Sequence, residues 1–340
     1  MDTKGYEVQV LMSVKEAGRL AVLSQVLQRQ LSQAQAAQQL GLSVRQIKRL
    51  CRRLRTEGEA GLISRRRARP SNRKIAQAVR ESVLQLVRQH YRDFGPELAR
   101  EYLAREHGFI HSSETLRGWM IEAGLWQPKP RRAARVHPAR ARRACLGELV
   151  QIDGSHHDWF EGRAARCCLI AFIDAATGRV LGARFEASES TQGYLGVLER
   201  CVAEHGAPLA IYSDRHAIFT KHDREDPVPT QFERALLQLG IEPICAHSPQ
   251  AKGRVERLFQ TLQDRLVKAM RLAGIDGMAE ANAWLPGYLA AHNARFAVAP
   301  RQAADMHRPW LGSRHELSRI CALHHRRSAS GQGVCRFEGA

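Results

Sequence analysis

The sequence predicts an α/β protein in which a mixed five-stranded sheet follows two all-α helix-turn-helix units. Three observations support this fold class. Helical patterns broken by glycine and capped by serine occupy the chain as far as residue 128. From Gly147 onward, short apolar runs alternate with helical stretches. The charge balance changes at the same place. Residues 1–148 contain 29 Lys and Arg and 13 Asp and Glu, whereas the remaining residues contain 23 and 21.

The net charge of +18 therefore lies mainly in the first half of the 340 residues. A basic region joined to a near-neutral one suggests a polyanion-binding part attached to a separate working domain. The start shows no signal-peptide pattern, and the apolar runs are too short to cross a bilayer, so a cytoplasmic protein without a membrane partner is expected. The eight cysteines show no zinc-ligand spacing, so we expect buried free thiols and no structural zinc.

The first unit, residues 1–63, has the pattern of a helix-turn-helix. Ser32 is a plausible N-cap, Gly41 supplies the turn and Ser43 caps a second helix. Such a second helix enters the major groove of DNA. The outward residues expected to contact DNA are Arg45, Gln46, Lys48, Arg49, Arg52 and Arg53. An ordinary basic surface helix would show the same charges.

A second helix-turn-helix unit is predicted over residues 75–128, with helices at 75–91 and 97–107 and a third capped by Ser112 or Ser113. The arginine-rich linker 64–74 joins the two units, and a basic linker over 129–146 follows. Arg66, Arg67 and Arg69 of the first linker suit a narrow minor groove, although a solvated linker that contacts nothing has the same composition.

Residues 147–300 are predicted to form the sheet domain. The expected order is three strands, a helix, a strand, a helix, a strand and a long helix, which implies an antiparallel meander followed by parallel crossovers. The predicted elements are strands 149–153, 166–174, 179–186, 209–214 and 243–247 and helices 191–204, 230–239 and 251–272.

Three carboxylates mark the candidate site. Asp153 and Asp214 each close an apolar strand, and Glu256 lies in the long amphipathic helix. Asp153 and Asp214 are 61 residues apart, and Asp214 and Glu256 are 42 residues apart. Side chains this far apart in sequence can come together only through tertiary structure. Carboxylates gathered in this way are suited to Mg²⁺, which prefers hard oxygen ligands. A single Asp at the end of a strand is more often a turn residue, and Asp174, which is followed by AATG, fits that description.

At this point the chain resembles a known family, the retroviral-integrase-type DDE transposases of bacterial insertion sequences, most closely the ISNCY group. The resemblance covers roughly residues 30–300. It rests on GLSVRQIKRL, RPSNRK, DFGPELAREYLAREHG, GELVQIDGSHHDW, CCLIAFIDAATGRVLGARF, LAIYSDRHAIF, HSPQAKGRVERLFQTLQDRLVK and HNARFAV. It implies a ribonuclease H-like core with helices on both faces of the sheet.

The resemblance also implies the chemistry. Asp153 and Asp214 would share one Mg²⁺ or Mn²⁺ ion, and Glu256 would complete a second site. Water would cut the DNA at the transposon ends, and the freed 3′-OH would attack target DNA without a covalent enzyme intermediate. The partners would be double-stranded terminal repeats and target DNA, bound by a homo-oligomer. Lys252 and Arg254 would position phosphates, unless they belong to a solvated helix end.

Some positions stay open at this stage. His156 and His157 could contact DNA or a metal-bound water, and His216 stands where many relatives have Asn-Gly. A DNA-binding regulator or truncated remnant that no longer cuts, or a structure-selective nuclease, would share these features. Residues 301–340 are expected to form a tail, which could be the remainder of a truncated C-terminal region.

Overall fold

The computed structural model describes residues 12–64, 75–128, 142–221, 228–245 and 253–325. The chain divides into two compact units, residues 1–129 and 130–340. The described part contains no helix with the length and apolar character needed to cross a membrane.

The first three helices form the predicted helix-turn-helix. They are α1 (Val14–Leu27), α2 (Gln33–Leu40) and α3 (Val44–Glu57), followed by a short 3₁₀ turn, Gly58–Leu62. The Ser32 and Ser43 hydroxyls accept hydrogen bonds from backbone N–H groups of the first turns of α2 and α3. Gly41, at φ 62°, ends α2 in the left-handed conformation that favours glycine. The helices enclose an apolar cluster centred on Leu23, Ala36 and Ile47.

The next three helices repeat the pattern. They are α4 (Gln77–His90), α5 (Pro96–His107) and α6 (Ser113–Glu122). Of the two candidate caps, Ser112 is the residue that accepts the N–H of Thr115, at 3.2 Å. The helices share their own buried cluster, which includes Leu103, Leu116 and Met120.

The second unit is built on a mixed sheet. Within the described residues it has five strands: β1 (Val150–His157), β2 (Cys167–Asp174), β3 (Val180–Glu186), β4 (Ala210–Ser213) and β5 (Glu242–Cys245). Their order across the sheet is β3-β2-β1-β4-β5. The pairs β1–β2 and β2–β3 are antiparallel, and β1–β4 and β4–β5 are parallel. This is the meander followed by parallel crossovers that the sequence predicted, in the ribonuclease H-like order.

Helices cover both faces of this sheet. They are α7 (Thr191–His205), α8 (Gln231–Gln238), α9 (Gly253–Leu272), α10 (Met278–Phe296) and α11 (Arg314–Ile320). Residues of α7, α8 and α11 share one buried cluster with Val150 and Ile152 of β1. Residues of α9 and α10 share another with Leu169 and Ala171 of β2. Successive residues of each strand therefore contact different helix layers.

The structure corrects two expectations about element boundaries. β1 does not end at Asp153 but continues to His157, because every residue as far as His157 pairs with β2. The tail expected from residue 301 also differs, since the backbones of Met306 and Arg308 hydrogen bond with Leu146 and Ala207 and Leu317 of α11 is buried. Residues 326–340 lie outside the described residues.

Candidate functional site

Asp153 lies on β1, and Asp214 directly follows β4, the parallel neighbour of β1. Val150 pairs with Ile211 and Gln151 with Tyr212, an offset of 61 residues. The two aspartates are separated in sequence by the same 61 residues. Asp153 and Asp214 each lie two residues beyond the last residue pair of the two strands, Gln151 with Tyr212. Both side chains are half-buried.

The side of β1 that carries Asp153 faces α9. Gln151 and Ser155 flank Asp153 on the same side of the strand, because side chains alternate along it. The backbone N–H of Val255 donates to Gln151 Oε1 at 3.3 Å, and Gln263 Nε2 donates to Ser155 Oγ at 3.2 Å. Asp153 therefore lies between two points at which α9 contacts the strand.

Glu256 lies on the stripe of α9 that approaches β1. Residues seven apart share a helix face, so Glu256 and Gln263 lie on one stripe. Gln263 contacts β1 through Ser155. The adjoining apolar residues of α9 pack against apolar side chains of β2. The Glu256 side chain is exposed and lies in the first turn of the helix. The fold thus brings the elements that carry all three carboxylates together at β1, β4 and α9.

The loop after β4 is held by Asp214 itself. Its Oδ1 accepts the backbone N–H of His216 at 2.9 Å, and the His216 ring Nδ1 accepts the N–H of Ile218 at 3.4 Å. Asp214 thereby orients the turn that follows it, as Asp side chains commonly do in loops. His216 belongs to this turn and is exposed.

Asp174 differs from the three site carboxylates because it is fully buried and saturated with donors. One carboxylate oxygen accepts the N–H of Gly147 at 3.0 Å. The other accepts the N–H groups of Ala176 and Thr177 and the Thr177 hydroxyl, at 3.1, 2.7 and 2.6 Å. These contacts make Asp174 a turn residue, as its sequence context predicted.

The two histidines after Asp153 occupy opposite faces of β1. His157 shares the face of Asp153, and its ring stands edge-on to Trp159 at 5.3 Å between centroids. His156 shares the face of Ile152 and lies 3.7 Å from the carboxylate of Glu189. Of the two histidines that could contact DNA or a metal-bound water, only His157 lies on the face of Asp153, because the strand continues beyond Asp153 and its pleat turns His156 to the other face.

Arginines gather at the start of α9. The pKa of Arg254 is lowered by its burial and by the neighbouring positive charges of Arg142 and Arg257. Arg142 also donates to the carbonyl of Ala176 at 3.1 Å. A phosphate would relieve the mutual repulsion of these guanidinium groups. Lys252 lies outside the described residues.

The outward face of α3 carries the predicted DNA contacts, with one exception. An open surface depression of about 610 Å³ is lined by Ser43, Arg45, Gln46, Lys48, Arg49 and Arg52. Arg53 instead turns toward the 3₁₀ turn, where its guanidinium donates to the carbonyl of Ile63 at 3.4 Å. This contact sets Arg53 apart from the other residues of α3 for which DNA contacts are predicted. Arg66, Arg67 and Arg69 lie outside the described residues.

Sequence reasoning missed the residues that join α9 to β1. Gln151, Ser155 and Gln263 were not singled out, although their hydrogen bonds fix the helix beside Asp153. The available signal was the polar set at positions 151, 153 and 155 within an apolar strand. That alternation indicates a face which meets something other than a purely hydrophobic layer.

Family models match the first unit of the chain. A helix-turn-helix domain model matches residues 19–71, and a homeodomain-like domain model matches residues 46–120.

Two curated proteins match most of the chain. "Putative transposase y4bF" of Sinorhizobium fredii (strain NBRC 101917 / NGR234) is 44% identical over 332 residues, which cover 97% of this chain and 72% of that protein. The transposase for insertion sequence IS1202 of Streptococcus pneumoniae is 31% identical over 322 residues, 83% of this chain and 69% of that protein.

Two of the similar solved structures are an intasome and an integrase catalytic core domain. The simian T-cell lymphotropic virus intasome, in complex with the PP2A regulatory subunit B56 gamma, matches with a TM-score of 0.40 and 17% identity, over 68% of this chain and 76% of that chain. The HTLV-2 integrase catalytic core domain, solved with magnesium in a dimeric form, matches with a TM-score of 0.36 and 18% identity. This match covers 49% of the present chain and 100% of the integrase core domain chain.

Proposed function

The chain belongs to the family of integrase-core insertion-sequence transposases, and we propose that it cuts and joins DNA through a metal site formed by Asp153, Asp214 and Glu256. One observation carries the assignment of these residues. The 61-residue offset of the β1–β4 pairing equals the separation of the two aspartates. A register shifted by one residue would send one carboxylate to the opposite face of the sheet.

The donor set fits a pair of Mg²⁺ or Mn²⁺ ions. All three side chains offer carboxylate oxygens, the hard ligands that these ions prefer over nitrogen or sulfur. Asp153 and Asp214 would hold one ion between them, and Glu256 would complete the site of the second. When bound, such a pair stabilises the attacking and leaving oxygens of an in-line displacement at phosphorus.

The protein itself supplies position and charge. The ladder with β2 holds Asp153, and the His216 N–H bonds the Asp214 carboxylate. Gln151 and Ser155 hold α9 in place beside Asp153. Carboxylates fixed in this way need little reorganisation during the reaction. Arg254, near Arg142 and Arg257, would hold a DNA phosphate close to the start of α9.

The reaction needs no Ser, Cys or Tyr nucleophile. Water attacks the phosphodiester at an element end, and the bond to the 3′ oxygen breaks to leave a free 3′-OH. That hydroxyl then attacks a target phosphodiester, forms a new P–O bond and releases a target 3′-OH. One bond forms and one breaks in each step, so no external energy source is required.

The first unit would select the DNA. The exposed residues of α3 suit the major groove, because arginine can donate two hydrogen bonds to guanine and lysine can contact phosphates. The second helix-turn-helix would contact an adjacent stretch of the element end. Assembly of several copies on the DNA remains a prediction from the family resemblance.

The test is cleavage and strand transfer with Mg²⁺ and double-stranded DNA that carries the ends of the element. Asp153→Asn, Asp214→Asn and Glu256→Gln should each lower activity by at least about a hundredfold, since each removes a charged ligand. Binding of the same DNA should persist. Asp264→Asn is the matched control, because Asp264 is an exposed carboxylate on α9 that pairs with Lys268. Substantial Mg²⁺-dependent activity in Asp214→Asn would refute the assignment.

A further inference from the structure

We propose that His156, Cys168 and Glu189 form a separate metal site for Zn²⁺, or an ion of similar softness, on the face of the sheet opposite Asp153. The ligand atoms of these three residues all lie within 4.8 Å of one another. His156 and Cys168 are direct cross-strand partners on β1 and β2, so their side chains emerge side by side. Glu189 comes from the segment just before α7.

The carboxylate of Glu189 is oriented by a buried hydroxyl. Tyr194 is fully buried, and its OH donates to Glu189 Oε1 at 2.6 Å. The other oxygen, Oε2, lies 3.7 Å from His156 Nε2. One oxygen is thus fixed by α7, and the other faces the histidine. Ligating carboxylates in metal sites commonly have a second hydrogen bond of this kind.

Gly154 leaves the space that the cluster occupies. A Cβ at this position would lie 2.9 Å from Cys168 Sγ and 3.0 Å from Glu189 Cδ. Any larger residue would displace the thiol or the carboxylate. The glycine follows Asp153 directly, so the cluster packs against the strand backbone beside the proposed catalytic residue while facing the other helix layer.

The donor set decides the class of ion. One imidazole nitrogen, one sulfur and one carboxylate oxygen suit Zn²⁺, whereas Mg²⁺ prefers oxygen alone. Cys168 is buried, but the His156 side chain is 60% exposed, which leaves a fourth position for water. A bound ion would tie β1, β2 and the start of α7 together. Without a metal, the same residues would form only a His–Glu ion pair beside a buried thiol.

The test uses the full chain and Co²⁺ as a spectroscopic substitute for Zn²⁺, with excess Mg²⁺ present to occupy oxygen-only sites. Co²⁺ bound to Cys168 should give a thiolate-to-metal charge-transfer absorption that saturates at one equivalent and disappears when Zn²⁺ is added. Zn²⁺ should also raise the melting temperature of the chain, because a ligand that binds only the folded state stabilises it.

Variants identify the ligands. His156→Ala and Cys168→Ser should abolish the charge-transfer absorption, and Tyr194→Phe should weaken Co²⁺ binding about tenfold or more. His157→Ala and Cys167→Ser are matched controls, because each is the sequence neighbour of a ligand on the opposite face of its strand, and both should retain the signal. His156 is exposed, so its variant should fold even if Cys168→Ser does not. No thiolate absorption in the wild-type chain, or a signal that survives His156→Ala, would overturn the proposal.

Discussion

Asn293 closes the free edge of the sheet by bonding both backbone groups of Val180. Its Oδ1 accepts the Val180 N–H and its Nδ2 donates to the Val180 carbonyl, both at 2.8 Å. Asn282, three turns earlier on α10, bonds Phe185 of the same strand in the same way, at 2.8 and 2.9 Å. Two amides thus replace a neighbouring strand along β3, and they prevent this edge from pairing with another chain.

Asn293→Ala should lower the free energy of unfolding by about 1–3 kcal/mol, because it leaves the N–H and carbonyl of buried Val180 without partners. Asn282→Ala should act similarly at Phe185. The two effects should add in the double variant, since the sites are three helical turns apart. Denaturant unfolding measures them, and Asn293→Asp, which keeps the acceptor but removes the donor, should fall between wild type and Ala. Stability unchanged in the double variant would contradict this role.

Asp174→Asn should reduce stability while catalysis persists. The substitution keeps the shape of the side chain but weakens its hydrogen bonds with Gly147, Ala176 and Thr177. A decrease of about 2–3 kcal/mol is expected, because hydrogen bonds to a charged group are the stronger ones. Unfolding and strand transfer should be measured together, with Asp153→Asn as the opposite case, stable but inactive. An inactive, fully stable Asp174→Asn protein would mean that Asp174 takes part in catalysis.

The first unit alone, residues 1–129, should bind the element ends in preference to random DNA. Affinity should fall steeply as salt rises, because each phosphate contact releases counterions, and Lys48→Ala should reduce the log–log slope by about 0.9. Arg45→Ala and Arg49→Ala should weaken sequence preference, by about 1–3 kcal/mol for each arginine that bonds a base edge. Fluorescence anisotropy at several salt concentrations measures both effects.

Arg53→Ala is the matched control for these variants. Its guanidinium bonds the carbonyl of Ile63, so its removal should lower the stability of the fragment more than its DNA affinity. If Arg53→Ala weakened sequence preference as much as Arg49→Ala does, the assignment of the DNA-facing side of α3 would be wrong.

His292 should make the second unit less stable in mild acid. The residue is buried on α10 between Tyr288 and Phe296, and among the described residues its Nδ1 has no hydrogen-bond partner. Burial and then the positive charge of Arg265 lower its pKa to about 4. The unfolded chain, with an ordinary pKa near 6.5, binds the proton first as pH falls. Stability is therefore full above about pH 6.5 and declines toward pH 4, by up to about 3 kcal/mol.

His292→Phe should remove this component, because the aromatic ring is kept and the titrating nitrogen is removed. Denaturant unfolding of both proteins between pH 4 and 7.5 gives the comparison, and the difference between them should change with pH only below about 6.5. A constant difference across that range would show that folding does not lower the pKa of His292.

Elements with local signals could be predicted from the amino-acid sequence. Ser32, Ser43 and Ser112 cap helices as predicted, because the cap hydroxyl bonds a backbone N–H only three residues away. The turn role of Asp174 was also readable, since three of its four donors lie within three residues of it. The order of strands and helices followed from periodicity, because each element has its own apolar pattern.

Contacts between distant residues depend on how the elements pack in three dimensions. The register between β1 and β4, which places Gln151 beside Tyr212, is fixed by hydrogen bonds between distant segments. Pairing between β1 and β2 extends β1 through Gly154 and Ser155. It also turns the His156 side chain away from Asp153, toward Cys168 and Glu189. The inward turn of Arg53 likewise depends on a carbonyl ten residues away. Local propensity does not encode such contacts, because their energies appear only after the separate elements have packed.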